Sequence, residues 1–192
     1  MSSGEELGRV EPVLERLGDA AVSIDTAKAA VARRALELGA ELVNDVTALR
    51  ADPDLAGVVA DAGAYVCLMH MQGEPRTMQR NPTYADVASE VAAFLEGRLR
   101  FAVAAGIRED HVCVDPGIGF GKTVEQNFEL VRRLDVLTSL GRVVGDPTAK
   151  TGSLAASVAA AVAAYDRGAT ILRVHDVREH VEALAVAAAV GA

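Results

Sequence analysis

Short runs of apolar, β-branched residues alternate along the chain with longer alanine-rich stretches whose apolar positions recur at helical spacing. That rhythm predicts strand–helix–strand units of a parallel sheet rather than hairpins. Strands are expected over residues 21–25, 42–46, 65–70, 111–115 and 170–175. Each is apolar on both faces, as when helices cover one side of a sheet and a packed interior fills the other. Helices are expected over 27–38, 53–62, 84–105, 124–138, 153–167 and 177–190, after a short opening helix at 5–17. Gly39, Gly63, Gly106 and Gly168 each stand just past a final turn, where a left-handed residue ends a helix.

One interval breaks the rhythm. Between Asp115 and His175 two helices follow in series, and Val143 with Val144 is the only strand-like pair between Gly141 and Gly152. The pattern reads as though a strand had been removed there, and no strand precedes the opening helix.

Polar residues fall at the C-terminal ends of the predicted strands: Asp25, Asn44 with Asp45, His70, Asp115, and Arg173 with His175 and Asp176. One such residue is usually a helix cap. Five strands in succession call for more, because in a parallel α/β barrel those ends meet on one active face. In an open doubly wound sheet they would meet at a crevice.

Composition narrows the class of partner. The 192 residues are 51% hydrophobic and 24% charged, which suits one globular domain, 1–192, though a complete (β/α)8 barrel takes about 250 residues. A net charge of -8 argues against nucleic-acid and membrane surfaces, so an anionic substrate has to meet a local cluster of cations. Cys67 and Cys113 lie far apart inside apolar runs, as buried strand residues rather than zinc ligands. The polar, acidic start is unlike a signal segment, and charge or glycine interrupts every apolar stretch, so a soluble cytoplasmic protein is expected.

The motifs sharpen this. Ser23-Ile24-Asp25-Thr26, Asn44-Asp45-Val46, Leu68-Met69-His70-Met71-Gln72-Gly73, the run Asp115-Pro116-Gly117-Ile118-Gly119-Phe120-Gly121-Lys122, and Arg173-Val174-His175-Asp176-Val177 follow one another in order. The glycine-rich run looks like a phosphate loop but does not have the register of a true P-loop, and nucleotide binding is set aside. In kind, order and spacing the five motifs resemble the dihydropteroate synthase family from about Val10 onward.

The resemblance implies a pterin-binding α/β domain, a TIM (β/α)8-type barrel that is incomplete, with about five of eight strands recognisable. It implies a transferase of folate biosynthesis, in which the amine of p-aminobenzoate displaces pyrophosphate from 6-hydroxymethyl-7,8-dihydropterin diphosphate. By position, Asp115 and Asn44 would read the donors and acceptor of the pterin edge. Asp25, a second pterin contact, would stabilise positive charge at the methylene carbon as pyrophosphate leaves, so Asp25 and Asp115 are the candidate catalytic residues. Val46, Met69 and Phe120 would wall the ring. Arg173 and His175, alternating along the last predicted strand, would bind the pyrophosphate. His70 is left as a packing residue. The family also implies Mg2+, for which no ligand is assigned, and a homodimer through the alanine-rich last helices.

Three features of the family have no evident counterpart: its opening strand, the strand and loop after it, and the penultimate strand with its Ser-Arg-Lys loop. The segment from Gly141 to Asp146 reads as the tail of that loop. Two other readings therefore stand beside the enzyme, a truncated or non-catalytic pterin-binding domain and a pterin-binding module of the methyltransferase type.

Overall fold

The structure, a computed structural model, describes residues 1–74, 76–145 and 153–191. Helices and strands alternate: α1 (Ser3–Leu17), β1 (Ser23–Asp25), α2 (Ala29–Glu37), β2 (Leu42–Asp45), α3 (Leu55–Ala62), β3 (Tyr65–Met69) and α4 (Val87–Ala104). They continue with β4 (Val112–Asp115), α5 (Val124–Arg132), β5 (Arg142–Gly145), α6 (Leu154–Tyr165), β6 (Ala169–Leu172) and α7 (Val177–Gly191). The hydrogen-bonded strand order is the chain order, β1-β2-β3-β4-β5-β6. The chain divides into two units, Met1–Met69 with Glu96–Cys113, and His70–Leu95 with Val114–Ala192.

In the first unit β1, β2 and β3 are parallel, in a register that sets Asp25 opposite Asn44 and Asn44 opposite Cys67. Paired residues in such a register share a face, so these three side chains stand on one side of the sheet and Ile24, Val43 and Val66 on the other. Val43 and Val66 are fully buried, as are Val31, Ala32 and Ala35 on α2 and Leu55 and Val59 on α3. On both helices the spacing is that of one apolar stripe, and each such valine or leucine contributes about 2 kcal/mol by leaving water. The start of α1 is fixed by a reciprocal cap, in which the Ser2 hydroxyl accepts from the Glu5 amide and the Glu5 carboxylate accepts from the Ser2 amide. Cys67 and Cys113 are both buried, as their apolar settings predicted, and neither is in a disulfide among the described residues.

The second unit closes on a cluster that includes Val91, Leu95, Val114, Leu130, Leu134, Leu137, Val143 and Ala164. The helix expected over 124–138 is not continuous. α5 ends at Arg132 and a 3-10 segment, Leu134–Leu140, takes over. Leu130, Leu134 and Leu137 remain buried across the change, so the spacing of apolar positions is kept while the winding tightens.

The strand that the sequence left out is present. β5 runs from Arg142 to Gly145 and pairs in parallel with β6, setting Gly145 opposite Leu172, with a register shift between Val143 and Val144. Its four residues hold only two β-branched side chains and end on a glycine, which is why the pattern did not reveal it. The glycine is required by packing: a Cβ at Gly145 would stand 2.8 Å from Leu172 Cδ2 and 3.2 Å from Ala164 Cβ. Residues 142–145 of the segment that reads as the tail of a missing loop are therefore a strand. Residues 146–152, immediately after it, lie outside the described residues.

The last strand is shorter than expected. β6 ends at Leu172, and the Arg173 amide donates the final ladder bond to Gly145 O at 3.1 Å. Arg173 and His175 thus lie past the strand, and the alternation proposed to align them does not apply.

Candidate active site

In the first unit the site residues come from the ends of the three strands. Asn44 is buried and its Nδ2 donates to Asp25 Oδ2 at 3.1 Å, so the amide and the exposed carboxylate are joined side by side. Met69, two residues beyond Cys67 on β3, points to the same face and is 1% exposed. Val46 follows β2 and is half-buried.

The neighbouring Asp45 has a different task. Its carboxylate is fully buried and accepts from the Thr47 amide at 2.8 Å, the Thr47 hydroxyl at 2.7 Å and the Leu49 amide at 2.6 Å. That fixes the turn after β2, where Ala48 and Leu49 both take left-handed backbone angles, φ 53° and 60°. Arg98 braces the turn from outside through the carbonyls of Ala48 and Leu49 at 2.7 and 3.2 Å. Beyond β1, the Thr26 hydroxyl donates to buried Glu6 at 2.7 Å, and Lys28 pairs with the other carboxylate oxygen. Burial opposes the charge on Glu6, but the bonds from Lys28 and Thr26 outweigh it and hold its carboxyl below the ordinary value.

In the second unit the glycine loop 116–121 leaves β4 at Asp115, which is 1% exposed. Asp115 Oδ1 accepts from the Gly117 amide at 2.7 Å, and its carbonyl accepts from the His70 amide at 2.9 Å. Gly117, Gly119 and Gly121 have φ of 67°, 83° and 63°. At Gly121 there is also no room for a side chain, since a Cβ would lie 2.6 Å from Gln72 O. Phe120 is half-buried in the loop's turn. Arg173 and His175 are exposed, in the segment between β6 and α7.

Sequence reasoning missed Lys122. It is 3% exposed, with Nζ 2.9 Å from both Gly117 O and Phe120 O and 3.1 Å from His70 Nδ1. Burial pushes its ammonium down to about 7, against the upward pull of the Asp115 carboxylate. Gly121-Lys122-Thr123 does stand directly ahead of α5, as in a phosphate loop. But Pro116 takes the place of that loop's first glycine, and Nζ turns onto backbone carbonyls instead of outward. The available signal was a lone lysine between a glycine loop and the Thr123 cap, with no acidic neighbour in sequence.

His70 is buried, 7% exposed, with its ring edge-on to Phe94 at 4.9 Å between centroids, and it does more than pack, since its Nδ1 meets Lys122. Among the described residues no group of three or more His, Cys, Asp or Glu side chains is arranged to hold a metal.

A family profile described as pterin binding enzyme matches residues 1–175. The dihydropteroate synthase of Neisseria meningitidis serogroup C is 40% identical over 208 aligned positions, covering 100% of this chain and 74% of that one. The chain belongs to the dihydropteroate synthase family. Two solved structures of the family superpose on it. The synthase of Xanthomonas albilineans, in complex with 7,8-dihydropteroate, gives a TM-score of 0.90 at 40% identity, covering 100% of this chain and 76% of its own. That of Thermus thermophilus, in complex with 6HMPPP, gives 0.90 at 43% identity, covering 100% and 81%. The parallel α/β fold of an incomplete (β/α)8-type barrel is the one shared with these family members, with six strands described here instead of the five expected.

Proposed function

We propose that this chain carries out the family's transfer, joining the amine of p-aminobenzoate to the methylene carbon of a dihydropterin diphosphate and releasing pyrophosphate. The observation that carries the reading is the buried Asn44 amide at the end of β2, already polarised by Asp25; in the other unit, taken by itself, β4 ends on a buried Asp115 carboxylate. A pterin edge offers a row of donors beside an acceptor, which a carboxylate and an amide complement. Asp25 then supplies negative charge where positive charge grows on the methylene carbon. Met69, Val46 and Phe120 furnish apolar contact for the ring, and Arg173 supplies the cation, with His175 as a second donor, that an overall acidic chain needs for a diphosphate. Exposure of both side chains suits groups that meet a ligand from solvent.

The same reading includes Mg2+ carried by the diphosphate, a cytoplasmic setting and a homodimer. Among the described residues no helix is long and apolar enough to cross a membrane. Calorimetry separates this reading from a methyltransferase-type pterin module. The transferase binds 6-hydroxymethyl-7,8-dihydropterin diphosphate at least about tenfold more tightly than the same pterin without its diphosphate, because the Arg173 guanidinium and a His175 donor act on the anion. Equal affinity for the two ligands removes the transferase in favour of the module.

A further inference from the structure

Nothing in the proposed reaction uses Lys122, yet it sits in an unusually demanding place. An amine buried to 3% exposure is tolerated only if its donors are matched. Nζ meets Gly117 O and Phe120 O at opposite sides of the glycine loop, each at 2.9 Å, and reaches out of the loop to His70 Nδ1 at 3.1 Å and His70 O at 3.4 Å. His70 is itself held by its edge-on contact with Phe94. The loop is also held by the Tyr84 hydroxyl, which donates to Gly121 O at 2.8 Å, and by the Gln79 side chain, which donates to Gly119 O.

A loop with three glycines at positive φ has little preference of its own for one shape. Its shape matters, because the Gly117 amide donates to Asp115 Oδ1 and Phe120 rides on the turn. Moving Gly117 moves the carboxylate.

We propose that Lys122 is a positioning residue of the pterin site: its buried Nζ braces Gly117 and Phe120 against His70 and so fixes the Asp115 carboxylate and the Phe120 ring. The inference rests on the pterin-binding role proposed for Asp115. The brace survives a change of protonation. An ammonium serves both carbonyls and His70 Nδ1, while a neutral amine keeps two N–H donors for the carbonyls and offers its lone pair to a protonated Nδ1. The titratable groups facing it are His70 and Asp115, with Tyr84 bonded to the adjoining Gly121.

Two experiments on the full chain test this. Reductive methylation followed by peptide mass spectrometry compares Lys122 with Lys28, whose side chain is 34% exposed. Lys122 reacts about 100-fold more slowly or less, since it is reached only when the loop opens; comparable rates overturn the brace without any variant. Calorimetry with the dihydropterin diphosphate then compares wild type with Lys122→Met and Lys122→Gln, each checked by its thermal melt. The methionine variant, which has no donor, binds about tenfold more weakly or worse, and the glutamine variant, with an amide that reaches one carbonyl, lies between. A folded methionine variant within about twofold of wild type overturns the proposal, and if it does not fold, a folded glutamine variant at wild-type affinity does so. A wild-type chain that binds no pterin while Lys122 stays protected sinks the proposed function, not the brace.

Discussion

Asp115 and Lys122 show how neighbouring charges divide labour in one loop. Asp115→Asn preserves size and the acceptor for the Gly117 amide but removes the negative charge. It is predicted to weaken binding of the dihydropterin diphosphate about tenfold or more, with little change in melting temperature. Equal binding by calorimetry would take Asp115 out of the site. The lysine makes a separate prediction about pH. Its folded value, about 7, lies below the ordinary 10.5, so between those limits the unfolded chain holds the proton more tightly. Stability contributed by this group therefore rises as pH climbs through that window, and the cost is fully present below it. Melting temperatures measured from pH 7 to about 9.5 rise less in Lys122→Met than in wild type; parallel curves would contradict the shift. At this scale the sequence was a good guide to polar residues that end strands, since type and position are both visible in it. It was a poor guide to Asp45 and Lys122, whose roles are set by backbone groups that only the folded turn brings within reach.

Elements are held in place here by turns more than by long ladders, with strands of only three to five residues. Two substitutions test that. Gly121→Ala forces a side chain into a left-handed backbone, 2.6 Å from Gln72 O, and is predicted to lower stability by about 3 kcal/mol in urea denaturation. A loss below about 1 kcal/mol would mean that the loop has room to shift. Asp45→Ala leaves the amides of Thr47 and Leu49 without their acceptor and is predicted to cost about 3 kcal/mol, with faster hydrogen exchange confined at first to residues 46–50. Unchanged exchange there would show that Arg98 alone holds the turn. Helices were legible because their apolar stripes and glycine stops are local signals, as in α2 and α3. β5 was not, because its identity rests on pairing with β6 and on close packing at Gly145. Arg173 and His175 were displaced from the expected strand for the same reason: the ladder ends with Gly145, not with any change in residue type.

For the molecule as a whole, the chain spans 74% of the length of its Neisseria relative, and the strand order begins at β1 and ends at β6. α7 leaves Val177, Val181, Val186 and Val190 exposed, from 58% to 83%, an apolar load that supports the proposed homodimer. Light scattering is predicted to give twice the 20.0 kDa chain mass, and a monomer at every concentration would remove the dimer. The central claim, that this chain catalyses the transfer, is tested most directly by pyrophosphate release. Purified folded chain is supplied with 6-hydroxymethyl-7,8-dihydropterin diphosphate, p-aminobenzoate and Mg2+. Release of pyrophosphate that depends on p-aminobenzoate, with dihydropteroate formed in equal amount, is the predicted result; a folded chain that binds the pterin yet releases none would contradict it.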